Sequence, residues 1–345
     1  MKTRYVIYGA GAIGSGIGGH LFRTGHDVVL VARPAHVERI RTEGLRLVTP
    51  QETYQLRVPA VASAAEVGFR DGNGGATGKG ANGEEASKDV VLLCVKAQDT
   101  DRSLAEIRAA GGDPQTLPIF ACQNSITNEP AALRYFRRVY GGLVVVTGVF
   151  LEPGVVHNPV RGNAGVLEVG CYPSGVDALS EEVAAALTKA SYASHANPQI
   201  MEAKGAKMLG NLGNAMGAIT DGKGDTKAFM EAVRQEALAC FGAAGIPCES
   251  RESFDARMKE SRGINELPPG VRNLGSTWQS MVRQRGEVET DYLNGEIVRL
   301  GRVHGIPTPH NEVLQEVANA MAARGDTPGT YTAQDLEELV ARRAA

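Results

Sequence analysis

The chain has 345 residues, a soft prior for about two domains, and its 43% hydrophobic and 22% charged residues are an ordinary globular composition with material for two cores. A net charge of −3 argues against a nucleic-acid surface, which needs a basic stripe, but leaves room for a local anion site built from a cation or two. No segment approaches the about 20 apolar residues of a membrane span, and Met1-Lys2-Thr3-Arg4 runs straight into an apolar strand without a signal-peptide pattern, so neither membrane insertion nor export is expected.

In chain order, Tyr5-Val6-Ile7-Tyr8 is a β-rich run that ends at Gly9. Apolar residues then recur at helical spacing from Ile13 through Ile17 to Leu21, and Asp27–Ala32 reads as a second buried strand, completing one βαβ unit. Val90–Val95, Leu117–Cys122 and Leu143–Val149 are further continuous apolar strands, and such runs suit parallel strands covered on both faces. Gly68–Ser87, rich in Gly, Asn and Ala, cannot bury enough surface to fold alone; a neutral flexible insertion is expected, with an active-site lid as the functional alternative. Near residue 195 the pattern turns helical, with Asn197-Pro198 at the junction and helices predicted over 199–220, 226–244, 250–261, 276–285, 289–304, 310–324 and 333–343. The expected class is α/β: a parallel-sheet domain over 1–195 and an all-helical domain over 196–345. The five cysteines (Cys94, Cys122, Cys171, Cys240 and Cys248) are odd in number and form no C-x-x-C pair, so buried reduced thiols in a cytoplasmic protein with no metal site are expected.

Gly9-Ala10-Gly11-Ala12-Ile13-Gly14 is a G-x-G-x-x-G turn. Its first glycine permits the tight turn, the second lets a pyrophosphate approach the backbone, and the third lets helix and strand pack closely, while the helix start offers free N–H groups and a positive dipole end. With a strand before, a helix after and a second strand at the expected distance, the turn marks a dinucleotide site on a Rossmann-type domain. An NAD enzyme of this kind places a carboxylate at the end of the second strand for the ribose 2′-OH, but here that end reads Val31-Ala32-Arg33-Pro34. Arg33 suits a 2′-phosphate, which predicts NADPH/NADP+ as cofactor. Lys96, after the third strand, is a second cation at the carboxyl edge of the sheet.

At 3.6 residues per turn, Lys207, Asn211 and Asn214 lie along one face of the first helix of the second half, with Met208, Leu209, Leu212 and Met216 as its apolar surface. The cation can donate a proton or hydrogen bond to a carbonyl oxygen and the amides can orient a substrate; a solvated surface face explains the pattern equally well. Ser276-Thr277 supplies hydroxyls further on, and the carboxylates Glu289 and Asp291 are no more than helix-start charges by pattern alone.

With these residues in place, the chain resembles the ketopantoate reductase (2-dehydropantoate 2-reductase) family over nearly its whole length. The resemblance rests on Gly9–Gly14, Val95-Lys96-Ala97, Gln123-Asn124, Lys207 with Asn211, Glu289-Thr290-Asp291-Tyr292-Leu293-Asn294-Gly295 and Gly305-Ile306-Pro307-Thr308-Pro309-His310-Asn311. It implies a Rossmann domain followed by a helical domain like the C-terminal domain of 6-phosphogluconate dehydrogenase, with the active site in a cleft between. It implies reduction of ketopantoate to pantoate by NADPH, on the route to pantothenate and coenzyme A, with Lys207 as general acid. Lys96 and Arg33 would serve the cofactor, and Asn124 would lie near nicotinamide and substrate. Glu289 would touch the nicotinamide ribose or pair with Lys207. Asn211, with Asn214, would bind substrate, and a hydroxyl at Ser276 or Thr277 would take its carboxylate.

The departures cluster on the substrate side. Gln123-Asn124-Ser125 replaces the family's Gln-Asn-Gly, Asn214 stands one place before the usual second asparagine, and Thr277 aligns with the usual serine. Thr220-Asp221-Gly222-Lys223-Gly224-Asp225 lacks a further asparagine. Two other readings therefore stand beside the first: a reductase or dehydrogenase of another small keto acid, hydroxyacid or imine on the same fold, and a non-enzymatic NADPH sensor. Neither a nucleic acid nor a membrane is an expected partner, and a homodimer is left open.

Overall fold

A computed structural model of the protein describes residues 2–70, 87–150, 152–267, 275–284 and 286–344. Residues 71–86 of the Gly68–Ser87 insertion lie outside the described residues. Two compact units are formed, the first from Met1–Gln123, Asn128–Met201 and Asp255–Pro268, the second from Asn124–Thr127, Glu202–Phe254 and Pro269–Ala345.

The first unit opens with strand β1 (Lys2–Tyr8), helix α1 (Ala12–Arg23), β2 (Asp27–Val31) and α2 (Pro34–Glu43). Then come β3 (Leu45–Val48), β4 (Thr53–Leu56), β5 (Ala60–Val61), β6 (Ser87–Leu93), α3 (Thr100–Ala109), β7 (Ile119–Ala121) and α4 (Asn128–Leu133). It continues through β8 (Val139–Val145), β9 (Val155–His157), β10 (Val160–Arg161), β11 (Val166–Cys171) and α5 (Ala178–Lys189). The seven-stranded sheet has the order β11-β8-β7-β6-β1-β2-β5, parallel throughout except at the β8–β11 edge. The five apolar runs read as strands all contribute to it, although the fifth strand runs over Val139–Val145 rather than the expected Leu143–Val149. Alternate residues of β1 enter opposite layers, Tyr5 and Ile7 with Ile17 and Leu21 of α1, Val6 and Tyr8 with Leu104 and Ile107 of α3. This two-sided burial makes the central strands continuously apolar.

The order reverses at β1, whose neighbours are β2 on one side and β6 on the other. Ligands of open α/β sheets bind at such a switch point, at the carboxyl ends of the strands. The sequence patterns did not reveal the antiparallel β11, the small β4-β3-β9 sheet, or the pairing of β10 with β12 (Ile264–Asn265). Most of these strands are short or half-exposed, so their apolar signal is weak, and the buried β11 is interrupted by Glu168 and Gly170. Close to β12, Arg257 pairs with Glu168 of β11, whose side chain is 1% exposed and also accepts from Asn197 Nδ2 at 2.8 Å.

The helices that follow are α6 (Ile200–Asn211), α7 (Gly213–Ile219), α8 (Lys227–Ala244), α9 (Arg251–Ser261), α10 (Ser276–Val282), α11 (Asn294–His304), α12 (Pro309–Arg324) and α13 (Ala333–Ala344). The helix expected over 199–220 is thus divided at Leu212, between Gly210 and Gly213, and the one expected over 289–304 begins as a 3-10 turn at Glu289–Tyr292. In the second unit α11 packs on α8 and α12, and α12 also packs on α7 and α13.

A buried polar network ties these helices together. The Glu236 carboxylate of α8 accepts the backbone N–H groups of His310 and Asn311 at 3.0 Å each, capping α12, whose own N-cap Thr308 makes no side-chain cap bond. Such first-turn amides have no partner inside their own helix. Asn311 Nδ2 donates to Glu236 and to Val233 O at 2.7 and 3.0 Å, and Asn294 Nδ2 donates to Asn311 Oδ1 and to Leu212 O at 3.1 and 3.3 Å. The α6–α7 break is therefore held by two asparagines from remote sequence. Asn311 is fully buried, and its truncation strands several partners at once. Asn311→Ala should lower the unfolding free energy by at least about 2 kcal/mol, read from the urea midpoint. A loss below about 0.5 kcal/mol, the size of an ordinary surface change, would show the network to be incidental.

Candidate functional site

At the end of β1, Gly9 has φ 98°, and a Cβ there would lie 2.6 Å from Val95 N. A Cβ on Gly14 would lie 2.5 Å from Gly9 O, so both glycines are required by close backbone packing. Around Gly11 nothing lies within 4 Å of the added atom, which leaves open space at the position where a pyrophosphate would approach. The N–H groups of Gly9 and Ala10 both donate to Val31 O, at 3.1 and 2.8 Å, and α1 then begins at Ala12. Ala12, Ile13 and Gly14 present the first amides of α1, which have no acceptor inside the helix. An anionic dinucleotide fits this cradle.

Arg33 is the N-cap of α2, in extended geometry (φ −63°, ψ 147°) before Pro34, and its side chain is exposed without a hydrogen bond or ion pair among the described residues. Lys96 lies half-buried beyond β6, where it caps a 3-10 turn at Ala97–Asp99. Gln123 fixes that loop: its Nε2 donates to Val95 O at 3.0 Å and to Thr100 Oγ1 at 2.8 Å, and Thr100 donates to Asn128 Oδ1 at 2.8 Å. Under the turn, the neighbouring Cys122 thiol and burial raise the Cys94 pKa well above its ordinary value. Such a thiol is inert.

In the second unit, Lys207 Nζ and Asn211 Nδ2 converge on one acceptor, Asn124 Oδ1, at 2.6 and 3.1 Å. Both donors come from one face of α6, as the four-residue spacing requires. Lys207 and Asn211 are half-buried rather than solvated. Asn214, across the break in α7, instead faces α10: its Nδ2 is 3.5 Å from Ser276 Oγ, and Gly275 (φ 99°) packs on it so closely that a Cβ would lie 2.5 Å from Asn214 Oδ1. Thr277 is 1% exposed and its Oγ1 makes no hydrogen bond among the described residues, so Ser276 is the hydroxyl beside the asparagine. The Thr220–Asp225 stretch contributes Asp221, which accepts from Trp278 Nε1 at 3.0 Å and so braces α10. Glu289 is buried in the 3-10 turn. Asp291 accepts from Gln315 and Asn319 of α12 at 2.8 and 2.6 Å, a packing role that the sequence pattern did not show.

Ser125, where the family pattern has glycine, sits in the left-handed region at φ 72° and is buried. Its hydroxyl lies 3.2 Å from Thr127 Oγ1. Alanine there would keep the backbone strain and lose the hydroxyl contact, whereas glycine relieves the strain. Ser125→Gly should therefore be more stable than Ser125→Ala by about 1 kcal/mol in urea unfolding. The reverse order would mean that no left-handed backbone is required at this position.

Comparison with known proteins gives these residues a context. The family model described as ketopantoate reductase PanE/ApbA matches residues 5–174, and the corresponding C-terminal model matches residues 199–322. A 2-dehydropantoate 2-reductase of Pyrococcus horikoshii is 28% identical over 323 residues, covering 92% of this chain and 97% of its own. One of Aquifex aeolicus is 24% identical over 336 residues, covering 93% and 97%. Among solved structures, a PanE/ApbA family ketopantoate reductase from Ralstonia eutropha superposes with a TM-score of 0.73 at 28% identity, covering 94% of this chain and 99% of its own. D-mandelate dehydrogenase, solved with NADH and anilino(oxo)acetate, shares the fold with a TM-score of 0.75 at 22% identity, covering 94% and 99%. Two matched models in sequence, backed by relatives aligned nearly end to end, show that this chain belongs to the ketopantoate reductase family of oxidoreductases.

Proposed function

We infer that the protein reduces a 2-keto acid with NADPH, and that ketopantoate, reduced to pantoate in the cytoplasm, is its substrate. The observation that carries this reading is the convergence of Lys207 Nζ and Asn211 Nδ2 on a single carbonyl-type oxygen, Asn124 Oδ1. An ammonium and an amide N–H trained on one oxygen are the donors that a keto oxygen needs as it gains charge. The glycine turn and Arg33 support the cofactor assignment: the turn accepts a pyrophosphate, and the exposed guanidinium stands where a 2′-phosphate rather than a 2′-hydroxyl is expected. The cofactor, when bound, supplies the hydride. Lys207 stabilises the developing alkoxide and then protonates its oxygen. Asn211 and Asn124 orient the substrate, Ser276 beside Asn214 suits its carboxylate, Lys96 serves the cofactor phosphates, and Glu289 holds either the nicotinamide ribose or the Lys207 charge. The expected two-domain division, 1–195 and 196–345, accompanies this reading. A related keto acid is the second reading, favoured by the burial of the Thr277 hydroxyl, which leaves Ser276 as the hydroxyl beside Asn214.

Lys207→Ala should bind NADPH nearly as before and lose about 10²–10⁴-fold in kcat with ketopantoate. Lys207→Arg should not restore the rate, because a guanidinium keeps the charge but is a poor proton donor. Steady-state reduction of a panel of 2-keto acids, with NADPH affinity measured separately, tests both points. A Lys207→Ala enzyme within about threefold of the parent kcat would remove the lysine from the mechanism. For the cofactor, Arg33→Ala should weaken NADPH binding by about 1.5–3 kcal/mol and leave NADH unchanged. Equal losses would mean that Arg33 does not read the phosphate.

A further inference from the structure

The segment that carries Arg33 is fastened to the glycine turn on both sides. Two residues before it, Val31 O accepts the N–H groups of Gly9 and Ala10 at 3.1 and 2.8 Å. Three residues after it, His36 is 3% exposed in the first turn of α2, and its Nε2 lies 3.0 Å from Ser15 Oγ. Gly154 N–H donates to His36 Nδ1 at 2.8 Å, which makes that nitrogen an acceptor and places the ring proton on Nε2. His36 therefore donates to Ser15, and Ser15 Oγ donates onward to Ala10 O at 2.9 Å, inside the glycine turn. The ring also meets Phe150 edge-on at 4.8 Å between centroids, and burial holds its pKa down to about 4, so it stays neutral. Between the two anchors, Pro34 fixes its own φ and restricts Arg33 to the extended backbone it adopts.

We propose that His36 is a positioning residue that, through Ser15, registers Arg33 against the glycine turn, and so sets the preference for a 2′-phosphorylated dinucleotide. The proposal rests on the reading of Arg33 given above. A free guanidinium on a loose turn loses entropy each time it is ordered by a phosphate, whereas one whose backbone is fastened on both sides loses less. A dinucleotide without the 2′-phosphate gains nothing from that order. The linkage should thus act on NADPH and not on NADH, which a merely structural histidine would not do.

The test is titration of the purified full-length protein with NADPH and with NADH, alongside thermal melts. Ser15→Ala removes one hydroxyl and keeps the helix. His36→Asn keeps an acceptor for Gly154 N–H but loses the donor to Ser15, and His36→Gln keeps a donor towards Ser15. Ser15→Ala and His36→Asn should weaken NADPH about five- to tenfold, the size of one lost neutral hydrogen bond, with NADH within twofold of the parent. His36→Gln should retain most of the discrimination. In Arg33→Ala, adding His36→Asn should cost NADPH nothing further, because the two act on one contact. If Arg33→Ala is selective for NADPH while the Ser15 and His36 variants weaken both cofactors alike, or neither, the positioning role is overturned and the reading of Arg33 stands. If Arg33→Ala itself weakens both cofactors alike, that reading fails and the positioning role falls with it.

Discussion

A strand and a helix joined by three residues can pack against each other only if almost nothing projects between them. β1 ends at Tyr8 and α1 begins at Ala12, and the clearance is made by hydrogen atoms at Gly14, where a Cβ would lie 2.5 Å from Gly9 O, and at Gly18, where it would come within 2.4 Å of Leu30 Cδ2 of β2. Because α1 can come this near, Ile17 and Leu21 reach the layer of Tyr5, Ile7 and Leu30. The carbonyl at the end of β2 can then take two amides of the turn. The seating of the turn and the placement of Arg33 both depend on this close approach.

The second unit solves a different problem, that of giving a small-residue helix a defined polar face. α6 contains Gly205, Ala206 and Gly210, and a Cβ on Gly205 would lie 3.2 Å from Pro247 O, so neighbouring backbone comes in close. Such a helix has little side-chain mass of its own to fix it. Its end is fixed instead by Asn294, which holds the carbonyl of Leu212 one residue beyond Asn211. The asparagines of the Leu293-Asn294-Gly295 and His310-Asn311 motifs thus act by holding helices in register, and the chemistry-bearing pair Lys207 and Asn211 lies on the helix they hold.

Much of this was legible in the sequence because each element was written in one period. The central strands each carry a continuous apolar run, the C-terminal helices carry breakers between them, and the four-residue spacing of Lys207 and Asn211 placed both on one side of α6. The rest depends on partners that sequence distance conceals. Nothing local marks His36 as a bridge between Ser15 and Gly154, since a histidine in an amphipathic helix has many ordinary uses. Glu236 reads as a surface carboxylate of α8, yet it caps a helix more than 70 residues away. Asn214 has the spacing of a third member of the Lys207 face, but the break at Leu212 turns it towards Ser276. Ser125 looked like a loss of the family's glycine, and the structure shows that the left-handed backbone is kept without it.

The buried carboxylate of Glu168 has a consequence for how the protein is made. Its guanidinium partner, Arg257, and the strand that closes the edge at β10 both come from the stretch Asp255–Pro268, after the chain has already entered the second unit. A buried acid without its counter-charge is strongly destabilising. During vectorial synthesis the first unit is therefore incomplete when residue 201 leaves the ribosome; the stretch Glu202–Phe254 of the second unit must be made before its last piece arrives. A gene cut at the junction between the sheet-rich and helical halves would give neither half a complete body, although the composition changes sharply there.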